Sequence, residues 1–151
     1  MGEASYILGI KITRNRESKL LYLDQKKYLE KILDRFNMGS CKTIKTLVYK
    51  GLHLSKDICL KDKAERKEMS KTPYAHAVGS LMYAMTSTRP DICHAVGLVS
   101  RYQSDPGPGH WQTVKRIFRY IKEIINLKLY FGLKELNVIG YSDGLKGLLI
   151  V

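Results

Sequence analysis

Residues 72–125 read TPYAHAVGSLMYAMTSTRPDICHAVGLVSRYQSDPGPGHWQTVKRIFRYIKEII, and this stretch decides the fold because three helical patterns follow one another in it. Thr72-Pro73 supplies a cap followed by the residue best tolerated in a first helical turn. Tyr74, Ala77, Val78, Leu81, Met82 and Met85 then recur at the three- and four-residue spacing that places them on one face. The pattern restarts at Pro90, whose fixed φ suits a first helical position, with Asp91 at the positive end of the helix dipole. Its apolar face is Ile92, Ala95, Val96, Val99 and Tyr102. SDPGPG (104–109) breaks the chain again, and a third helix is predicted from about His110 to Ile125, with Trp111, Val114, Ile117, Phe118, Ile121 and Ile124 on one side. Three amphipathic helices joined by short Pro-bearing turns pack as a small bundle.

Working outward, YILGIKI (6–12) and LLYLD (20–24) are runs rich in Ile, Leu and Tyr around the polar TRNRESK (13–19), the pattern of a β-hairpin. The lone Gly9 within the first run is consistent with a bulge or with close approach of another backbone. Asp24 offers a carboxylate to the free N–H groups of a following helix, whose face is Tyr28, Leu29, Ile32, Leu33 and Phe36 and whose stop is assigned to Gly39. Residues 40–71 carry no periodicity and are expected to form an irregular connection, with a short helix over KAERKEMS (63–70). Beyond the bundle, LKLYF (127–131) and LNVIGYS (136–142) flank GLKE, a second hairpin pattern. The expected fold class is therefore α+β: an N-terminal β-hairpin, a central bundle of amphipathic helices and a C-terminal β-hairpin.

A chain of 151 residues fits one domain, which can bury about 70% of the surface its unfolded form exposes. Lys and Arg number 26 against 14 Asp and Glu, a net charge of +12. That excess attracts polyanions, so nucleic acid leads the candidate partners and an anionic membrane surface comes second, with a merely soluble basic surface as the bland alternative. Cys41, Cys59 and Cys93 are odd in number and lack C-x-x-C spacing, so they read as reduced thiols of an intracellular protein, cytoplasmic or nuclear. No apolar run reaches the ~18 residues of a membrane span, and the basic-then-apolar layout of a signal peptide is absent, so no membrane partner and no secretion are expected.

The third predicted helix carries the clearest binding signal. Lys115, Arg119 and Lys122 fall on one stripe with Arg116 beside it, opposite the apolar face, and only Glu123 offsets them nearby. Such a stripe suits a phosphate backbone, and a solvated helix face is the plainer reading of the same residues. Trp111 is in phase with the apolar positions and reads as an anchor, while His53, His76, His94 and His110 show no metal-ligand spacing. Phosphate-loop, dinucleotide-binding and esterase motifs are all missing. Two-metal phosphoryl transfer needs several carboxylates around ions about 4 Å apart, and the acids here are scattered, Asp143 having none adjacent.

Taken in order, EASYILGIKI, LYLDQKKYLEKILDRFNM, PYAHAVGSLMYAMTSTRPDICHAVGLVSRYQSDPG, HWQTVKRIFRYIK and GYSD resemble the polymerase region of a copia-type retrotransposon Pol polyprotein. The resemblance implies that residues 1–25 are a remnant of the reverse transcriptase palm. Leu8, Gly9 and Ile10 would lie in the hairpin that grips the primer. Residues 26–126 would be thumb and connection helices, and 127–151 a truncated start of an RNase H-like domain, in which Asp143 aligns with the first metal-binding aspartate. Mg²⁺ serves the parent family; no cofactor is expected for this chain, because the Tyr-x-Asp-Asp turn and the remaining RNase H carboxylates are missing from it. The expectation is a non-catalytic fragment that binds an RNA/DNA hybrid or duplex through Lys115, Arg116, Arg119 and Lys122, with Lys11 and Arg14 as weaker contributors and the remainder of a Pol polyprotein as a further candidate partner. A protein-interaction module and an unfolded pseudogene product are the alternatives. Stretches like PYAHAVGSLMYAM also occur in proteins labelled secreted RxLR-type effectors, but no Arg-x-Leu-Arg is present here.

Overall fold

The computed structural model of the chain describes residues 5–47, 54, 67 and 69–132. Four strands, β1 (Tyr6–Ile7), β2 (Ile10–Asn15), β3 (Leu20–Asp24) and β4 (Leu129–Gly132), form one antiparallel sheet in the order β1-β2-β3-β4. The helices whose ranges lie among the described residues are α1 (Lys26–Arg35), α2 (Tyr74–Ser87), a 3₁₀ turn at Pro90–Ile92, α3 (Cys93–Ser100) and α4 (Pro108–Glu123); Lys67 and Met69, in the 63–70 stretch expected to form a short helix, are also helical. The α+β expectation holds, with strands from both ends of the chain meeting in one sheet. LKLYF supplies β4, which pairs with β3; the predicted second strand at 136–142 lies outside the described residues.

The run 6–12 is not a single strand. Leu8 and Gly9 have φ of 50° and 81°, so the chain reverses between β1 and β2 in a two-residue loop whose backbone twist matches that of the flanking strands. Positive φ is ordinary for Gly9 and uncommon for a leucine. The Tyr83 hydroxyl of α2 donates to the Leu8 carbonyl and fixes the turn against the helices. Between β2 and β3, Asn15 Oδ1 accepts the Ser18 N–H at 3.0 Å and Lys19 takes a second positive φ.

Asp24 starts α1 as its chemistry suggests, Oδ1 accepting the Lys26 N–H at 2.9 Å. Its other oxygen lies 3.4 Å from Lys128 Nζ, which ties the approach to β4 to the end of β3. The stop at Gly39 is corrected: α1 ends on Asn37, whose φ is 55°. The Met38 N–H returns to the Leu33 carbonyl at 2.7 Å and the Asn37 N–H to Asp34 at 3.0 Å, a Schellman closure with asparagine in the left-handed position. Gly39 instead passes close to Asp34, whose Oδ1 would sit 2.7 Å from an added Cβ. Thr72 is not the cap of α2 either. Pro73 holds that position, no side chain caps it, and Thr72 contributes only its carbonyl to the Tyr74 N–H at 2.7 Å. Helix α4 starts two residues earlier than predicted, with Pro108 at its first position, and the Gly107 N–H donates to His110 Nδ1 at 2.9 Å.

The core is helical. Leu29 and Ile32 of α1, Val78 and Leu81 of α2, Val96 of α3, and Ile117, Phe118 and Ile121 of α4 are fully buried, as their periodicity requires. Phe118 stacks on Phe36 with ring centroids 5.1 Å apart. Met82, assigned to the same face of α2, is exposed instead. Trp111 packs against the core from its edge, 6.3 Å from the Tyr74 ring. None of the sheet's apolar side chains belongs to this cluster or packs against it.

The sheet has two unlike faces, set by its register. Ile10, Ile12 and Arg14 share a face with Leu21, Leu23, Leu129 and Phe131, and Ile7 joins them opposite Ile10. The other face carries Tyr6, Lys11, Thr13, Asn15, Leu20, Tyr22, Asp24 and Tyr130. One side is thus apolar except at its tip, and the other is mixed.

Candidate nucleic-acid interface

The basic residues of α4 do share one side of the helix, and the structure shows what they touch. Arg116 donates Nε–H to the Leu47 carbonyl at 3.0 Å and Nη2–H to Thr46 Oγ1 at 2.8 Å. Arg119 donates Nε–H to the Lys42 carbonyl at 2.6 Å, and Lys122 Nζ reaches the Cys41 carbonyl at 2.7 Å. Three cations thereby hold the irregular 41–47 segment across α4. Lys115 lies with Nζ 5.6 Å from the centre of the Trp111 ring. A groove of about 520 Å³ runs beside this row, lined by Met38, Gly109, Gln112, Thr113, Lys115, Arg116 and Arg119.

These bonds run to carbonyl and hydroxyl oxygens and hold the side chains in one row, and each guanidinium has five N–H donors. The groove lining contains three cations and no carboxylate among the described residues, so its local potential is positive. Periodicity revealed the stripe. It could not reveal the carbonyls that anchor it, since 41–47 has no regular pattern.

Elsewhere the predicted contacts are spread out. Lys11 and Arg14 are exposed on β2 but point to opposite faces of the sheet. Arg14 lines a second groove of about 350 Å³ with Asn15, Arg16, Lys19, Leu20 and Leu21 at the β2–β3 tip. Leu8 is 81% exposed at its turn, Gly9 beside it, and Ile10 opens β2 on the apolar face. Asp143 lies outside the described residues, and among those described no group of three His, Cys, Asp or Glu could hold a metal ion.

Sequence reasoning missed a polar junction beneath the bundle. Thr88 donates its hydroxyl to Gln25 Oε1 at 2.8 Å, both residues being buried. Arg89, only 5% exposed, makes a two-point bond to Asp91, Nε to Oδ1 at 3.1 Å and Nη2 to Oδ2 at 2.7 Å, and reaches the Ile124 carbonyl at 3.3 Å through Nη1. Tyr120 donates to the same Asp91 carboxylate at 3.0 Å. Partial burial, followed by that bond to Asp91, raises the Tyr120 phenol above its usual range. LYLDQ and TRPDI, each part of a stretch that carries the family resemblance, are thus joined in space by Gln25 and Thr88. The signal that could have found Arg89 was its position between two helical patterns, immediately before Pro90.

Over 143 residues, 95% of its length, the chain is 48% identical to the retrovirus-related Pol polyprotein from transposon TNT 1-94 of Nicotiana tabacum. The chain belongs with the copia-type retrotransposon Pol polyproteins. It is also 34% identical over 144 residues, 93% of the chain, to the retrovirus-related Pol polyprotein from transposon RE1 of Arabidopsis thaliana. The chain spans 11% of the tobacco Pol polyprotein and 9% of the Arabidopsis one. A shorter match, 46% identical over 76 residues and covering half of the chain, is to secreted RxLR effector protein 161 of Plasmopara viticola. No protein-family model matches the chain, and no solved structure matches it. Among the described residues no helix is long and apolar enough to cross a membrane.

Proposed function

We propose that this chain is the part of an intracellular copia-type reverse transcriptase that holds the template-primer duplex by its phosphates, contributing binding and no bond chemistry of its own. The observation that carries this reading is the α4 groove, where Lys115, Arg116 and Arg119 line one surface with no carboxylate among the described lining residues. Cations already held by carbonyl groups lose little further side-chain freedom on meeting a phosphate, so more of their attraction remains as affinity. The net charge of +12 supplies a favourable long-range field. Lys11 and Arg14 would extend the phosphate track over the sheet, and the Leu8–Gly9 turn and Ile10 would lie against the primer strand. No chemistry is assigned to Asp143 or to a metal ion.

Fluorescence anisotropy with a labelled RNA/DNA hybrid tests this. Phosphate contacts by Lys115, Arg116, Arg119 and Lys122 predict that affinity falls about a hundredfold between about 50 and about 200 mM salt. Replacing Lys115 by Ala should lower the salt slope by about one, because that side chain holds no backbone in place. No binding at low salt, or an unchanged slope in a Lys115→Ala, Arg119→Ala double variant that melts normally, overturns the reading.

A further inference from the structure

We infer that the mixed face of the sheet is a stacking platform for the unpaired bases of a single nucleic-acid strand, a site that goes beyond the duplex groove on α4 and shares no residue with it. Tyr22 and Tyr130 stand directly opposite each other on β3 and β4, their ring centroids 6.4 Å apart and their planes inclined by 34°. Tyr130 is 66% exposed, and the residue across from Tyr22 on β2 is Thr13, short and itself exposed. One row along, about 7 Å away by strand geometry, Lys11 faces Tyr6. Lys27 of α1 lies with Nζ 5.7 Å from the centre of the Tyr6 ring.

A cross-strand tyrosine pair stabilises a sheet, which accounts for the closeness of the two rings. It does not account for a ring left largely in water beside a row that carries two ammonium groups. Asp24, the one carboxylate on this face among the described residues, is already engaged by the Lys26 N–H at 2.9 Å and by Lys128 Nζ at 3.4 Å, so the row keeps a positive balance. Exposed aromatic rings next to cations are the two parts that single-strand binding needs. The ring takes the flat face of a base, and the ammonium takes the phosphate attached to it. In a duplex those base faces are covered by their stacked neighbours, so the platform selects unpaired nucleotides. Every base has such a face, so the site reads no sequence.

The test measures binding of the full chain, by fluorescence anisotropy, to a labelled oligothymidylate and to an abasic strand of the same length, which has the phosphates and no bases. The oligothymidylate should bind about tenfold more tightly, the gain expected for a stacked base. Tyr130→Leu should abolish that gain, and Tyr130→Phe, which keeps the ring, should retain it. Phe131→Leu, which removes an exposed ring from the opposite face of the same strand, should leave it within about twofold. Binding of the RNA/DNA hybrid should not change in these variants. Conversely, the Lys115→Ala, Arg119→Ala double variant should weaken hybrid binding and keep the base-dependent gain, so the two sites fail separately. Equal affinity for the two strands overturns the inference. So does equal loss in Tyr130→Leu and Phe131→Leu, the pattern of a weakened sheet, or loss in Tyr130→Phe, which would assign the effect to the hydroxyl.

Discussion

The helical layer and the sheet solve the same problem in opposite ways. In the helices the predicted stripes, Met82 apart, pack on one another, and residues such as Val78, Leu81 and Phe118 lose all contact with water. In the sheet the register is equally regular, yet none of its apolar residues is buried. Regular patterning thus guarantees a secondary structure and a face, but a partner for that face has to come from elsewhere. The contrast teaches that the helices carry the stability of the described chain while the sheet rides on them through Tyr83, the Lys27 ammonium over the Tyr6 ring and the direct step from Asp24 into α1.

Substitutions can break or sharpen that contrast. Phe118→Ala, which empties the centre of the helical layer and strands Phe36, should cost about 3–5 kcal/mol by denaturant titration. If the loss is under about 1 kcal/mol, the helical layer is not the stabilising one. Asn37→Ala places a Cβ-bearing residue without a compensating side chain at positive φ and should cost about 1 kcal/mol, whereas Asn37→Gly should stay within a few tenths. Equal effects of the two in a thermal melt would remove the left-handed stop from the account of α1. Leu23→Ala, by contrast, should cost less than about 1 kcal/mol in the isolated chain because its side chain touches no core. A cost like that of Phe118→Ala would mean that the face is already covered.

Legibility followed the same line. Helices α2 to α4 were readable because three apolar residues in every seven commit to one side, and the Asp24 start was readable because a carboxylate before an amphipathic run has few other uses. The turn at Leu8 was not, since a leucine gives no local sign that it will adopt positive φ; the hydroxyl that stabilises it comes from Tyr83 in a distant helix. Asn37 lost to Gly39 in the sequence reading because glycine is the commoner left-handed stop, and only the bond from the Met38 N–H to Leu33 decides between them. On α4 the charges were legible and their anchors were not. Arg89 was the hardest case, a guanidinium inside the bundle whose bond to the Ile124 carbonyl, and whose partner Asp91's bond to Tyr120, join segments that meet only after folding.

The pairing of β4 with β3 has a consequence in time. About a hundred residues separate the two strands, so closing that loop from an unstructured chain carries an entropic cost of several RT before the first ladder bond forms. Once α1 to α4 have packed, the bond from Arg89 to Ile124 holds the end of α4 near the base of the bundle, and only a short tether remains between Ile124 and Leu129. Packing of the helices first therefore lowers the entropic cost of adding β4 to the sheet. A nascent chain exposes the outer edge of β3 until α4 has been made and has docked, which is the interval in which another strand can take the place of β4.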